Sequence, residues 1–165
     1  MKIVLIALDY DPTAQKVLET GYELAKGMGA EVVLLHVITD PDVYSSLGHV
    51  TIMGFAGYMD TTEIEPAEGG VISLRESSIT YLEKSKQHLG DLTIQTLVEE
   101  GDFADSIVKA AKDMHADVIV MGSHSRKWLT DVVIGSVTEK VLRNTSVPIF
   151  IVPTKKKDEL PSGDK

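Results

Sequence analysis

The stretch VIVMGSHSRKWLTDVVIGSVT, residues 118–138, decides the fold of this chain and the place of its functional site. Its apolar beginning, residues 118–121, predicts a strand that is buried on both faces, as strands of parallel sheets are. Gly122 opens a turn of small residues, and the pair Gly135 and Ser136 precedes a helical pattern of apolar residues. The stretch therefore predicts a strand and a helix that are joined by one loop with a glycine at each end.

This loop has the properties of a phosphate-binding turn. N–H groups at a helix start are available to an anion, and glycines let a ligand approach the backbone closely. His124, Arg126 and Lys127 add side-chain donors within the loop. A purely structural interpretation competes with this one, because Ser136 and Glu139 have the spacing of a capping box, in which each side chain caps the other's backbone N–H. Spacing alone leaves both interpretations open.

The rest of the chain alternates between strand and helix patterns. Apolar runs at residues 3–8, 31–38 and 147–152 predict buried strands, and a looser alternation at residues 92–99 predicts a more exposed one. Helical spacing of apolar residues follows the strands, so the sequence predicts an α/β fold with an open sheet and helices on both faces. Pro148 lacks a backbone donor, which favours an edge position for the last strand.

Several boundaries follow from local composition. Gly27 and Gly29 are expected to end the first helix, which Asp11 would cap with Pro12 as its first residue. Asp102 is expected to cap the third helix. Residues 1–153 form one predicted domain that includes a long loop at 40–70, and residues 154–165 form a polar tail.

The composition excludes several classes of function. The net charge of −9 makes duplex nucleic acid an unsuitable general partner. The absence of cysteine excludes disulfides, thiolate metal sites and thiol catalysis. The apolar run at residues 3–8 is too short to span a membrane or to act as a signal peptide, so we expect a cytoplasmic protein without a membrane partner. The histidines show no spacing that is typical of a metal site.

The loop resembles that of the universal stress protein family. Nucleotide-binding members of that family carry Gly, two residues, Gly, nine residues and then Gly-Ser or Gly-Thr. Gly122 and Gly135–Ser136 match the two ends of this pattern, and Ser125 replaces the middle glycine. The resemblance extends from residue 1 to about residue 153. It implies a five-stranded, mainly parallel, Rossmann-like sheet and a homodimer that pairs through the strand beginning at Val147 and ending at Val152.

The resemblance also implies ATP at the strand ends, where an accompanying Mg²⁺ would be held mainly by the phosphate oxygens. Asp9 would lie near the base and the ribose, although a carboxylate at a strand end also forms turns without any ligand. Val37 would line the adenine pocket. The residues that the resemblance places around the nucleotide are Ala7, Leu8, Asp9, Val37, Met121, Gly122, His124, Ser125, Gly135, Ser136, Val137 and Thr138.

Three functions compete at this level. The first is an ATP-binding, dimeric stress-response regulator with at most slow ATP hydrolysis and no dedicated catalytic residue, since no carboxylate is placed to orient His124. The second is a dimeric interaction protein that does not bind nucleotide, which the change at Ser125 favours. The third is an adenylating enzyme of the ATP-pyrophosphatase type, but the turn after the first strand lacks the serine and glycine residues of those enzymes.

Overall fold

The structure is a computed structural model that describes residues 1–9, 13–39, 71–123 and 134–154. The strands of the described part are β1 (Ile3–Leu8), β2 (Glu31–Ile38), β3 (Gln95–Glu100), β4 (Val118–Gly122) and β5 (Ile149–Val152). The helices of the described part are α1 (Ala14–Met28), α2 (Val71–Leu89), α3 (Phe103–Asp113) and α4 (Ser136–Asn144). The predicted loop at 40–70 and residues 155–165 of the predicted tail lie outside the described residues.

The five strands form one sheet in the order β3-β2-β1-β4-β5, and all four neighbouring pairs are parallel. The predicted open parallel sheet is therefore confirmed. In the middle of the sheet, Leu5 of β1 pairs with Val33 of β2 on one side and with Ile119 of β4 on the other. β5 lies at the edge, as Pro148 predicted, and the Pro148 carbonyl still accepts a hydrogen bond from the Ile119 N–H at 2.9 Å.

Helices cover both faces of the sheet because successive strand residues point to opposite sides. Val4, Ile6 and Leu8 belong to one apolar cluster, which also contains side chains of α1 and α2. Leu5 belongs to a second cluster, which contains side chains of α3 and α4. The predicted two-sided α/β arrangement is thus confirmed, with the cover of each face supplied by a pair of helices.

The ends of α1 differ from those that the sequence predicted. Thr13 occupies the N-cap position and α1 begins at Ala14, two residues later than predicted; Asp11 and Pro12 lie outside the described residues. Gly29 ends the helix in a left-handed conformation with φ 61°, which glycine adopts without steric cost. Gly27 lies within the helix, so the prediction that it helps to end α1 is wrong.

We expect the two glycines of α1 to respond oppositely to alanine. A Cβ on Gly21 would lie 2.8 Å from Ile6 Cδ1 and 3.0 Å from Val120 Cγ1, two buried side chains, whereas a Cβ on Gly27 would meet nothing within 4 Å. Overpacking costs about 1–3 kcal/mol and outweighs the gain of about 1 kcal/mol in helix propensity. Gly21→Ala should therefore lower the free energy of unfolding, measured with urea, and Gly27→Ala should raise it. Equal stabilities of the two variants would contradict this packing.

Candidate functional site

The sheet changes its direction of winding between β1 and β4. The chain leaves β1 toward α1 on one face, and it leaves β4 toward α4 on the other face. The register joins β1 and β4 only as far as Ile6 and Val120, whereas β1 and β2 pair as far as Leu8 and His36. In open α/β sheets ligands bind at such a switch point, outside the carboxyl ends of the strands. The crevice beyond the ends of β1 and β4 is therefore the candidate site.

Most of the predicted site residues lie at this end of the sheet. The described ones are at the ends of β1, β2 and β4 and at the start of α4: Ala7, Leu8, Asp9, Val37, Met121, Gly122, Gly135, Ser136, Val137 and Thr138. Their side chains do not share one face. Ala7, Val37, Met121 and Val137 belong to the apolar cluster under α3 and α4, but Leu8 packs under α1 and α2. On the α3/α4 side of the sheet, Leu8 consequently presents its backbone and not its side chain.

The remaining predicted loop residues, His124 and Ser125, lie outside the described residues, as do Arg126, Lys127 and Trp128.

Within the described part of the chain, the start of α4 carries no side-chain cap. Gly135 is the N-cap residue, with φ −69° and ψ 160°, and Ser136 is the first residue of the helix. The Glu139 N–H donates to the Gly135 carbonyl at 2.9 Å, and the Glu139 carboxylate accepts from Arg143 at 2.6 Å. The predicted capping box between Ser136 and Glu139 is therefore wrong, because the helix begins one residue earlier than that motif requires. The first N–H groups of an α-helix have no acceptor within the helix, so these backbone donors are available to a ligand.

Ser123 fixes this helix start to the ends of two strands. Its carbonyl accepts the Gly135 N–H at 2.7 Å, and its own N–H donates to the Val152 carbonyl of β5 at 2.9 Å. The buried Ser123 hydroxyl accepts the Thr154 N–H at 3.1 Å. In addition, the Thr138 hydroxyl donates to the Gly122 carbonyl at 3.0 Å. Neither Ser123 nor Thr154 is among the predicted site residues, and Thr154, which lies in the predicted polar tail, is buried.

The end of β1 is held from the opposite face. The Tyr81 hydroxyl of α2 donates to the Asp9 carbonyl at 2.7 Å, and His36 Nδ1 lies 2.8 Å from the Leu8 carbonyl oxygen. A carbonyl oxygen only accepts, so Nδ1 carries the hydrogen of the neutral imidazole. The two rings contact edge to face, with centroids 5.7 Å apart. Burial lowers the pKa of His36 to about 4, although the hydrogen bond to Leu8 acts in the other direction.

A cluster of charges joins the starts of α3 and α4. Asp102 caps α3 by accepting the Asp105 N–H at 3.0 Å, as the sequence predicted. Lys140 of α4 places Nζ 2.9 Å from Asp102 Oδ1 and 3.2 Å from Asp105 Oδ1. The hydrogen bond from Lys140, followed by that from the Asp105 N–H, lowers the pKa of Asp102, and the same carboxylates raise the pKa of Lys140. The charge of Lys140 is thus already balanced by protein groups.

Two other kinds of site are absent from the described part of the chain. No three side chains among its histidines, aspartates and glutamates are grouped as metal ligands. None of its helices has the length and apolar character needed to cross a bilayer.

The buried His36 should make stability fall in weak acid. The ordinary pKa of histidine is 6.5, and burial lowers the pKa of His36 to about 4 in the folded protein, so the unfolded state binds more protons between these two pH values. Above about pH 6.5 this difference in proton binding has no effect on the free energy of unfolding. By about pH 4 it lowers the free energy of unfolding by roughly 3 kcal/mol. His36→Asn keeps an amide donor without a titrating ring. The urea midpoint of this variant should fall less than that of the unaltered protein between pH 7 and pH 4.5, and parallel pH profiles would contradict the assignment.

Comparison with known proteins agrees with this geometry. The model of the universal stress protein family matches residues 1–153. Universal stress protein MJ0577 of Methanocaldococcus jannaschii is 29% identical over 157 residues, which cover 93% of this chain and 96% of that protein. The solved structure of hypothetical protein MJ0577 has a TM-score of 0.69 at 27% identity and covers 94% of this chain and 98% of that one.

A second solved structure, the universal stress protein from Archaeoglobus fulgidus in complex with dAMP, shares the fold. Its TM-score is 0.55 at 19% identity, and the match covers 92% of this chain and 97% of that chain. Together with the match to the family model over residues 1–153, the fold and the glycine-flanked turn lead to one conclusion. The chain belongs to the universal stress protein family.

Proposed function

We propose that this protein is a cytoplasmic, dimeric stress-response regulator that binds ATP in the crevice beyond β1 and β4. One observation carries the proposal: α4 begins at the switch point of the sheet, and no described side chain caps it. A nucleotide would bind the backbone N–H groups of its first turn. The family membership and the dAMP complex of the Archaeoglobus fulgidus relative support an adenine nucleotide as the ligand class.

The phosphates would be bound mainly by backbone groups. The N–H groups of Ser136, Val137 and Thr138 lie in the first turn of α4, where the helix dipole favours negative charge. This mode suits a chain with a net charge of −9, because it needs few side-chain cations. His124 and Ser125 are assigned to the phosphate and ribose region on the sequence resemblance, and Mg²⁺ would accompany ATP through the phosphate oxygens.

The adenosine would lie toward β1 and β2. In the sheet order, β2 and β1 lie on one side of the switch point, while β4 and the helix α4 that follows it lie on the other. With the phosphates at α4, the ligand would therefore extend toward Ala7 of β1, Asp9 directly after β1, and Val37 of β2. Val37 offers an apolar wall for the base, and the Asp9 carboxylate can accept from an adenine amine or a ribose hydroxyl.

A pocket that does not accept nucleotide is the alternative, and Ser125 is its support. ATP turnover, where present, is proposed to be slow. No described contact favours an adenylating enzyme.

ATP binding can be tested with a charge placed at the start of α4. Wild-type protein should bind Mg·ATP with Kd below about 1 mM in equilibrium dialysis, which corresponds to at least about 4 kcal/mol of binding free energy. Ser136→Asp should preserve folding, since acidic groups stabilise helix starts, but should weaken ATP binding at least about tenfold by repulsion. Gln87→Glu adds the same charge on exposed surface near the end of α2, at the opposite end of the sheet, and should not change the affinity.

Two outcomes of that experiment decide against ATP binding. A folded wild-type protein that binds no ATP at millimolar concentration would remove the proposal. A large gain in affinity on Ser125→Gly would then favour the interaction protein without nucleotide. Equal effects of Ser136→Asp and Gln87→Glu would remove α4 from the site.

The homodimer is proposed to pair through the edge strand β5, within the segment that begins at Val147 and ends at Val152. Among the described strands β5 pairs only with β4, so its other edge presents backbone groups to a further strand. Phe150 lies on this strand and is 39% exposed, and Leu142 of the adjoining α4 is 51% exposed. An edge with exposed apolar side chains is suited to a second copy of the same chain.

We expect Phe150→Lys to shift the protein from dimer to monomer in light scattering coupled to size exclusion, because lysine at an apolar, edge-paired position opposes association. Leu92→Lys is the matched control. Leu92 is 75% exposed and precedes β3, the strand at the other edge of the sheet, so its replacement should leave the dimer intact. A dimer that survives Phe150→Lys and dissociates with Leu92→Lys would place the interface at the β3 edge instead.

A further inference from the structure

We infer that Tyr81 and His36 are positioning residues for the adenosine part of the site. This inference rests on the proposed nucleotide binding and assigns a role to two residues that the ligand would not contact. Both side chains are buried, with 0% of Tyr81 and 2% of His36 exposed. Both donate to backbone carbonyls at the end of β1, those of Asp9 and Leu8.

The end of β1 needs such support because of the sheet topology. Beyond Ile6, β1 no longer has β4 in register at its side. A crevice at this point requires that the two strands separate, and the separation removes the neighbour that otherwise fixes a central strand. Two side-chain hydrogen bonds of 2.7 Å and 2.8 Å instead hold Asp9, which directly follows the strand, and Leu8, its last residue.

The direction of this support matters for the ligand. Tyr81 belongs to the apolar cluster under α1 and α2, and its ring packs against that of His36. The crevice residues Ala7, Val37 and Met121 pack on the α3/α4 side. The two donors therefore hold the backbone of Leu8 and Asp9 from the face opposite the ligand. They set the position of Asp9 relative to Val37 without occupying the crevice.

The phosphate region is built independently of these contacts. Its helix start is fixed by hydrogen bonds from Gly135 to Ser123 and from Thr138 to Gly122, all within β4, α4 and their connection. Loss of the Tyr81 hydroxyl should consequently affect how the protein binds the adenosine moiety and leave its phosphate contacts unchanged. A residue with a merely structural role would affect both moieties together.

The test compares three probes, ATP, AMP and inorganic tripolyphosphate, on Tyr81→Phe by isothermal titration calorimetry. We expect the affinities for ATP and AMP to fall by the same factor of about ten, the effect of one buried hydrogen bond, and that for tripolyphosphate to remain unchanged. Ser85→Ala is the matched control. It removes another fully buried hydroxyl from α2, one that donates to the Tyr81 carbonyl of its own helix, and should leave all three affinities unchanged.

Variants of His36 separate the hydrogen bond from ring packing. His36→Asn retains an amide donor for the Leu8 carbonyl and should keep most of the AMP affinity, whereas His36→Leu lacks the donor and should lose it. Circular dichroism establishes that each variant is folded. Where His36→Leu does not fold, the comparison of Tyr81→Phe with Ser85→Ala decides alone.

Three results would overturn the inference. Unchanged AMP affinity in Tyr81→Phe is the first, and an equal loss of tripolyphosphate affinity is the second. The third is an equal effect of Ser85→Ala. Failure of the proposed function gives a different result, because the wild-type protein itself would then bind none of the three probes.

Discussion

The burial of β1 on both faces and along both edges is the constraint on which the structure depends. Val4, Leu5 and Ile6 are fully buried, and they alternate between the two apolar clusters while pairing with β2 and β4. Complete burial of such side chains contributes about 1.5–3 kcal/mol each, and a strand with two apolar faces requires helices on both sides. The helices after β1 and β4 then pack on opposite faces of the sheet. The crevice is thus a consequence of how the core is covered.

The sequence predicted those parts of the fold that depend on local patterns. Continuous apolar runs identified β1, β2 and β4, and the missing donor of Pro148 placed β5 at the edge. Asp102 was recognisable as a helix cap because its carboxylate accepts from the N–H of Asp105, only three residues further along the chain. The glycine-flanked turn carried the family resemblance, which the family model confirms over residues 1–153.

The failures of sequence reasoning have physical causes. Ser136 and Glu139 match a capping box in spacing, but the helix begins at Ser136 itself, and Arg143 binds the glutamate. Glycine often ends a helix, but α1 continues past Gly27 to Met28, which packs against the core, and Gly29 caps its end. Contacts such as that between Tyr81 and Asp9 join residues 72 positions apart in the chain. The sequence pattern of a single element cannot predict such a contact, because the contact depends on how α2 packs over β1.

Ser123 shows why the proposed pocket and the proposed dimer edge form a single unit. Its carbonyl holds the N–H of the α4 N-cap, its N–H holds the last carbonyl of β5, and its hydroxyl holds Thr154 directly after that strand. These bonds are short and buried, so a displacement of the α4 start would have to be accommodated by the end of β5. Coupling between two sites requires a shared element that both of them bias. Ser123 would serve as that element, because it bonds the N-cap residue next to the proposed phosphate-binding N–H groups and also the last residue of the proposed dimer strand.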